Sequence, residues 1–213
     1  MDKRVWLFDL DNTLYNAATH VFPHINRSMT GYLQEHLQLD EQAADALRVH
    51  YWQRYGATLS GMMRHHATDP GHFLRQTHQF PELPRMVMRE PRLRPMLKRL
   101  SGRKLVFSNA PQHYASAVLE LLGIADLFDD VFATEHARYR PKPQMAGFLR
   151  LLHRHRLSPA RCVMVEDSAE NLRAAKMLGM RTVWVNASAR WPAYVDVKIR
   201  EITDLPRILA RQH

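Results

Sequence analysis

The chain has 213 residues, 46% of them apolar, which suffices for one full hydrophobic core with an appended unit but not for two large domains. Its one cysteine, Cys162, excludes an intrachain disulfide and fits a reducing compartment. The sequence shows no signal-peptide pattern and no apolar run long enough to span a bilayer, so we expect a cytoplasmic protein without a membrane partner.

The formal net charge is +9 with 13 histidines uncounted, which favours anionic partners through long-range attraction. Charge alone would suggest a nucleic-acid binder. The basic residues are nevertheless scattered, with no long basic run and no alternation with aromatic residues. We therefore expect a small phosphorylated substrate and no nucleic acid, and keep a nucleic-acid-binding or regulatory protein as the alternative. The sequence leaves the oligomeric state open.

The first predicted element is a buried strand, Val5–Phe8, that runs directly into Asp9 and Asp11. Along an extended backbone residues i and i+2 point the same way, so both carboxylates would project from the strand end. Two adjacent carboxylates repel each other, which costs free energy. A bound cation, or a reaction that needs both groups, would offset this cost. A plain Asx turn that ends the strand is the alternative at this point.

The segment from residue 16 to 90 is predicted to be a helical insertion placed just after the first strand. Such an insertion would lie above the strand's C-terminal end, where open α/β sheets bind ligands, and is placed to act as a lid. The amphipathic patterns predict four helices: Val21–Leu37, Glu41–Tyr55, Leu59–His66 and His72–Gln79.

After residue 90 short apolar strands alternate with helical patterns, which predicts a Rossmann-like, doubly wound parallel sheet with helices on both faces. We expect residues 1–15 and 91–213 to form this α/β catalytic core and residues 16–90 to form the helical cap. The predicted strands are Lys104–Phe107, Asp130–Ala133, Cys162–Val165, Thr182–Val185 and Val197–Ile199. The predicted helices are Leu93–Leu100, His113–Leu122, Gln144–His155, Ser168–Leu178 and Pro206–Arg211.

Polar signatures that could bind an anion follow two of these strands. Ser108 and Asn109 come directly after Phe107, where a hydroxyl and an amide can hydrogen-bond phosphate oxygens; an ordinary helix N-cap is the alternative. Lys142 stands between two prolines that fix the backbone and aim its side chain. A solvent-facing loop lysine is the alternative there.

An acidic signature follows the strand that ends at Val165. Glu166 and Asp167 exceed what capping of a helix N-terminus requires, and Asn171 lies one helical turn further on. Asp9, Asp11 and Asp167 supply hard oxygen ligands that suit Mg²⁺. Since all these signatures fall at C-terminal strand ends, we expect them to form one site for phosphoryl transfer.

The set Asp9-Leu-Asp-Asn-Thr13, Ser108-Asn109, Lys142-Pro143 and Glu166-Asp-Ser168 resembles the four motifs of the haloacid dehalogenase superfamily, in order and in placement after strands. The resemblance spans residues 5 to about 190. Within the insertion, Tyr55-Gly-Ala-Thr-Leu-Ser-Gly61 resembles the cap segment of the pyrimidine 5'-nucleotidase branch.

The superfamily resemblance implies the reaction. Asp9 would attack phosphorus to form an aspartyl-phosphate, and Asp11 would protonate the leaving oxygen and later activate water. Mg²⁺ would be held by the Asp9 carboxylate, the Asp11 backbone carbonyl and the Asp167 carboxylate. Lys142 and the metal would neutralise the repulsion between the carboxylate nucleophile and the phosphate dianion. Thr13, Ser108, Asn109 and Lys142 would bind the phosphoryl oxygens.

Two acidic-motif residues have a less direct implied role. Glu166 and Asn171 would support the metal from outside its ligand shell, with Glu166 as a direct ligand the alternative. The acid at Asp11 favours phosphate-ester chemistry, because dehalogenases of this superfamily usually lack it.

The branch resemblance implies a Mg²⁺-dependent phosphatase for a nucleoside 5'-monophosphate, with a pyrimidine base preferred. Another small ester, such as phosphoglycolate or a sugar phosphate, is the alternative substrate. The candidate specificity residues are Tyr15, which would stack a base, and Thr58, Ser60, Gly61 and His65 in the cap. For these cap residues, packing within the cap is the competing interpretation.

Overall fold

The computed structural model describes residues 4–206, in which six parallel strands form one sheet in the order β3-β2-β1-β4-β5-β6. The strands are β1 (Val5–Phe8), β2 (Arg103–Phe107), β3 (Asp130–Phe132), β4 (Cys162–Glu166), β5 (Arg181–Val185) and β6 (Val197–Ile199). The first strand is central, because Val5 pairs with Arg103 on one side and with Cys162 on the other. The carboxyl ends of β2, β1 and β4 therefore lie side by side.

Nine α-helices occur among residues 4–206. They are α1 (Val21–Leu37), α2 (Glu41–Tyr55), α3 (Thr58–His66), α4 (Pro70–His78), α5 (Leu83–Met86), α6 (Leu93–Arg99), α7 (Gln112–Leu122), α8 (Met145–His155) and α9 (Ala169–Met177). The first six lie between β1 and β2 in the chain. In this described range, no helix is both long and apolar enough to cross a bilayer.

Helices cover both faces of the sheet, because the apolar side chains of β1 point alternately to one face and the other. Trp6 and Phe8 enter one hydrophobic cluster with residues of α6 and α7. Val5 and Leu7 enter a second cluster with residues of α8 and α9. Because successive strand residues point to opposite faces, four consecutive apolar residues supply both cores. The predicted doubly wound α/β fold is confirmed.

The insertion has a hydrophobic cluster of its own. Leu33, Met62 and Phe73 are fully buried in it, and they come from α1, α3 and α4. The first turns of α1 instead join the cluster on the sheet through Val21 and Ile25. The division of the chain into a core and a cap at residues 15 and 90 stays a prediction.

Most of the predicted helices and strands agree with the structure to within two residues at each end. Helix α5 was not predicted; Pro84 lies within its first turn, where proline is tolerated. Helix α4 begins at Pro70, two residues before the predicted start, since the Asp69 side chain caps it by accepting from the His72 backbone N–H. The final predicted helix, Pro206–Arg211, lies outside the described residues from 207 onward.

Candidate active site

The three central strands bring their following residues to one edge of the sheet. Asp9 follows β1, and its backbone N–H donates to Val165 O at 3.0 Å, which continues the pairing with β4. Ser108 follows β2, and its N–H donates to Phe132 O at 3.1 Å. Asp167 follows β4, and its carbonyl accepts from Trp184 Nε1 at 2.7 Å. Two backbone hydrogen bonds and one from a tryptophan side chain thus fix the start of the three polar motifs.

Lys142 joins this edge from the loop after β3 and is 3% exposed. Its Nζ donates to Asp9 Oδ1 at 2.7 Å, to Glu166 Oε2 at 2.8 Å and to Phe107 O at 2.7 Å. All three ammonium protons therefore have acceptors. The interpretation of Lys142 as a solvent-facing loop lysine does not fit this burial.

Asn109 places the lysine backbone. Its Oδ1 accepts from the Lys142 N–H at 2.7 Å, and its Nδ2 donates to the Lys142 carbonyl at 3.1 Å. This two-bond clamp ties the loop after β3 to the end of β2. The predicted contact of the Asn109 backbone with a phosphate oxygen stays a prediction, whereas its side chain holds Lys142.

Asp9, Glu166 and Asp167 form a carboxylate cluster whose ligand atoms lie within 4.8 Å of one another. Glu166 is fully enclosed, and its Oε1 accepts from the Ser168 N–H at 3.2 Å. Three close carboxyl groups, two of them buried and one partly buried, form with one lysine a donor set that fits a hard divalent cation such as Mg²⁺.

The electrostatics of the cluster have a common cause. Burial, and then the charge of Glu166, raise the pKa of Asp9 to about 6, although Lys142 opposes the shift. Burial likewise raises the pKa of Glu166 to about 7 and raises that of Asp167. Burial by itself would lower the pKa of Lys142, but Asp9 and Glu166 outweigh it and raise that pKa. The lysine therefore stays charged, while the carboxylates have a charge excess that a cation would relieve.

Two hydroxyl side chains from the phosphate-binding prediction lie at the same edge and differ in their partners. Thr13 is buried, and its Oγ1 has no hydrogen-bond partner. A buried hydroxyl without a partner is costly, so this atom is suited to an oxygen-rich ligand. Ser108 Oγ accepts from the Ala110 N–H at 3.0 Å and keeps its own proton available.

Asp11 lies two residues after Asp9 and has a pair of tyrosine partners. Its Oδ1 accepts from Tyr15 Oη and from Tyr114 Oη, each at 2.7 Å. Burial, and then the nearby charge of Asp9, raise the pKa of Asp11 to about 6. Sequence reasoning missed Tyr114. The signal was a tyrosine in the first turn of the helix that follows the Ser108 motif.

Asn12 is a second residue that the sequence reading did not assign. It has a left-handed backbone with φ of 61°, a conformation that asparagine tolerates better than most residues. Its Oδ1 accepts from the backbone N–H groups of Ala17 and Ala18 at 3.0 and 2.9 Å. The turn that carries Asp11 is thereby tied to the start of the insertion.

Tyr15 is 7% exposed, and its hydroxyl contacts both Asp11 and the Tyr114 hydroxyl. A ring buried to this extent has little face left to stack on a base, so the structure places Tyr15 as a partner of Asp11. Asn171 is buried at the start of α9, where its backbone N–H donates to Ser168 Oγ at 3.4 Å. Its role outside a metal shell stays a prediction.

The four cap candidates lie at the junction of α2 and α3 and mainly contact the cap itself. Thr58 is buried and its Oγ1 donates to the Arg48 carbonyl at 3.1 Å. A Cβ on Gly61 would lie 2.1 Å from the Tyr51 ring, so the glycine allows α3 to approach α2. His65 Nε2 pairs with Tyr55 Oη at 2.7 Å. Of the four, Gly61 lies at a close helix contact, and the predicted approach of a ligand there stays a prediction.

Ser60 is partly exposed, and its backbone N–H donates to the Ala57 carbonyl at 3.1 Å. This hydrogen bond lies in the first turn of α3. A contact of Ser60 with substrate stays a prediction.

The cap touches the core beside the lysine loop. Gly56, which ends α2 with φ of +80°, lies so that an added Cβ would be 3.7 Å from Pro141 Cγ. Tyr139, on the same core loop, packs against the cap cluster. The segment Tyr55–Gly61 therefore begins next to the loop that carries Lys142.

Comparison with known proteins agrees with this arrangement of strand ends. A family model described as haloacid dehalogenase-like hydrolase matches residues 3–179. The chain belongs to the haloacid dehalogenase-like hydrolases. The matched range includes all four motifs and the whole insertion, which confirms the predicted superfamily.

Two related proteins have names that refer to phosphate metabolism or to a phosphatase. The chain is 29% identical over 195 residues to Phosphate metabolism protein 8 of Saccharomyces cerevisiae, covering 84% of this chain and 60% of that protein. It is 32% identical over 103 residues to Hexitol phosphatase B of Escherichia coli, covering 46% of each. The chain thus spans less than two thirds of the length of either relative.

A solved structure supports the fold. The HAD phosphatase from Thermococcus onnurineus superposes with a TM-score of 0.65 at 23% identity and covers 97% of both chains. At this identity the likeness concerns the architecture alone.

Proposed function

We propose that this hydrolase is a Mg²⁺-dependent phosphatase that cleaves a small phosphate ester through an aspartyl-phosphate. The observation that carries the proposal is the buried Lys142 Nζ, which lies 2.7 Å from Asp9 Oδ1 within a cluster of three carboxyl groups. A carboxylate nucleophile and a phosphate dianion repel each other, so the reaction needs concentrated positive charge at this point.

In the proposed reaction an Asp9 carboxylate oxygen attacks phosphorus, and the bond from phosphorus to the ester oxygen breaks. Asp11 gives its proton to the departing oxygen and then takes a proton from the water that hydrolyses the aspartyl-phosphate, which restores both residues. Lys142 neutralises negative charge on the Asp9 carboxylate and the phosphate beside it. Thr13 and Ser108 donate to the phosphoryl oxygens.

The residues that would hold Mg²⁺ are the carboxylates of Asp9 and Asp167 and the backbone carbonyl of Asp11. When bound, the ion would supply charge neutralisation to the phosphate and to the carboxylate cluster. Glu166 already accepts from Lys142 and from the Ser168 N–H, and it is the residue that orients the lysine and the turn before α9. We therefore propose that Glu166 supports the metal site from outside.

For the substrate we propose a nucleoside 5'-monophosphate, preferably of a pyrimidine. The support is the segment Tyr55–Gly61, which resembles the cap segment of the pyrimidine 5'-nucleotidase branch and begins beside Pro141, one residue before Lys142. A hexitol or sugar phosphate is the second candidate, favoured by the name of the Hexitol phosphatase B relative. The net charge of +9 would attract either anion.

The test is a phosphate-release screen with Mg²⁺ over UMP, CMP, a hexitol phosphate, a sugar phosphate, phosphoglycolate and an aryl phosphate. We expect hydrolysis that a chelator stops and that Asp9→Asn abolishes. The matched control is Glu120→Gln, which removes one carboxylate from an exposed position of α7. Absence of turnover for every ester would contradict the phosphatase, and turnover of hexitol phosphate alone would replace the nucleotide.

A separate binding measurement with an oligonucleotide tests the nucleic-acid-binding alternative. A protein that binds a polyanion through its scattered basic residues would bind an oligonucleotide with a steep salt dependence. We expect no such binding at 0.15 M salt, and we expect phosphate release to be insensitive to added oligonucleotide.

A further inference from the structure

The carboxyl group of Asp11 is held from one side by two hydroxyl groups. Tyr15 Oη and Tyr114 Oη both donate to the same oxygen, Oδ1, at 2.7 Å. The two hydroxyl oxygens are themselves in contact. Among residues 4–206 no side chain donates to Asp11 Oδ2, and Asp11 keeps partial exposure to solvent. Oδ1 is thus fixed by two donors, while Oδ2 has no side-chain donor among the described residues.

The two tyrosines reach Asp11 from independent parts of the fold. Tyr15 follows four residues later in the same turn and makes a bridge with Asp11 through the backbone. Tyr114 is 103 residues away in sequence, on the first turn of α7. Its ring is 1% exposed and packs edge-on against His78 at a centroid distance of 5.9 Å. Tyr114 is therefore a buried donor that ties Asp11 to the core.

Burying two tyrosine hydroxyl groups costs free energy unless each has a hydrogen-bond partner, which indicates that their placement beside Asp11 is specific. A tyrosine hydroxyl in a fully packed position must find a hydrogen-bond partner, and apolar neighbours supply none. Phenylalanine would fill either position without that requirement. Two buried hydroxyl groups converging on one carboxyl oxygen restrict its rotation about both χ angles.

We propose that Tyr15 and Tyr114 are positioning residues that fix the Asp11 carboxyl group through Oδ1, so that Oδ2 is held in line for proton transfer to and from the substrate. The inference rests on the proposed phosphatase reaction, in which Asp11 is the acid and then the base. A misplaced acid loses most of its advantage even when substrate binding is intact. Neither tyrosine needs to touch the substrate.

The test compares Tyr15→Phe and Tyr114→Phe with the wild type on two esters, an alkyl phosphate taken from the screen and 4-nitrophenyl phosphate. We measure kcat/KM, which reports only the steps up to aspartyl-phosphate formation. An alkoxide leaving group needs a proton from Asp11, whereas nitrophenolate leaves without one. We expect each variant to lose about tenfold in kcat/KM on the alkyl ester and less than about threefold on the aryl ester.

A double-variant cycle decides whether the tyrosine acts through Asp11. We expect Tyr114→Phe to cost about tenfold in the wild type, and nothing further in an Asp11→Asn background measured on the same ester. Tyr32→Phe is the control, because it removes a buried tyrosine hydroxyl that pairs with His72 Nδ1 at 2.9 Å inside the cap. We expect the control to leave the ratio of the two esters unchanged.

Three results would overturn the inference. One is an equal loss on both esters with a lowered melting temperature, which would mark the tyrosines as structural. Another is an undiminished loss in the Asp11→Asn background, which would show that Tyr114 acts elsewhere. The third is a wild type that hydrolyses no ester, which would overturn the proposed function and the inference together. This outcome is seen in the wild type alone, so it is distinct from a failure of the inference.

Discussion

The edge of the sheet and the junction of α2 and α3 are both rich in ionisable side chains, yet these side chains have different kinds of partners. At the sheet edge Lys142, Asp9 and Glu166 are buried together, with charges that balance poorly and with the Thr13 hydroxyl unpaired. At the helix junction the side chains pair with each other, Tyr55 with His65 and Tyr51 with His66. Unsatisfied polar chemistry distinguishes a candidate site from a merely polar interface.

The largest expected effect comes from breaking the buried pairs of the sheet edge. Lys142→Met would leave two enclosed carboxylates without their cation, so we expect the free energy of unfolding at pH 7.5 to fall by about 3–5 kcal/mol. Urea unfolding without divalent metal measures it. The control is Lys176→Met, because the Lys176 pair with Asp196 is partly exposed and should contribute less than about 1 kcal/mol. Equal losses in the two variants would contradict the comparison.

The helix junction is tested by Gly61→Ala. A Cβ at this position would lie 2.1–2.6 Å from atoms of Tyr51, so we expect a loss of about 2–3 kcal/mol in the free energy of unfolding. Gly31→Ala is the control, since nothing lies within 4 Å of its added Cβ and alanine favours the helix by about 0.5–1 kcal/mol. A stable Gly61→Ala protein with a raised KM would instead support the ligand-approach role first predicted for Gly61.

His78 lies at the end of α4, where its ring packs against Tyr114, and its burial predicts a pH dependence. Burial, and then the charge of His113, lower its pKa from 6.5 to about 3. Its neutral form is favoured by folding, so its contribution is complete above pH 6.5 and is lost progressively as the pH falls toward 3. At pH 5 the loss should be about 2 kcal/mol.

The measurement is the difference in unfolding free energy between pH 7.5 and pH 5, in the wild type and in His78→Gln. We expect the variant to show about 2 kcal/mol less pH dependence, while the exposed His153→Gln follows the wild type. An unchanged pH dependence in His78→Gln would show that other groups cause the acid sensitivity.

The smallest expected effect belongs to the exposed pair of Tyr55 and His65. Its hydrogen bond is 2.7 Å long but largely open to solvent, so His65→Gln should lower the free energy of unfolding by less than about 1 kcal/mol. If the cap segment selects the substrate, the same variant should raise KM for UMP while kcat/KM for the aryl phosphate stays constant. A constant KM for UMP would assign His65 to packing alone.

The residues at the strand ends could be predicted because period-two strands and parallel pairing bring Asp9, Ser108 and Asp167 to one edge whatever the loops do. Lys142 was predictable from its two prolines and the family motif. Tyr114 was not, because its contact with Asp11 depends on the rotation of α7 over the sheet. The packing of Gly61 against Tyr51 could be stated only as an alternative, since helix crossing geometry is not visible in a local pattern.

The central position of β1 has a consequence for the order in which the protein can assemble. Val5 pairs with Arg103 and Cys162, so both neighbours of the nucleophile's strand are encoded about one hundred residues or more downstream. During synthesis, β1 leaves the ribosome long before either partner, and α1 to α6 emerge in the interval. The candidate site therefore forms only after most of the chain has been translated, and such sequence-distant pairing is typical of slow folding.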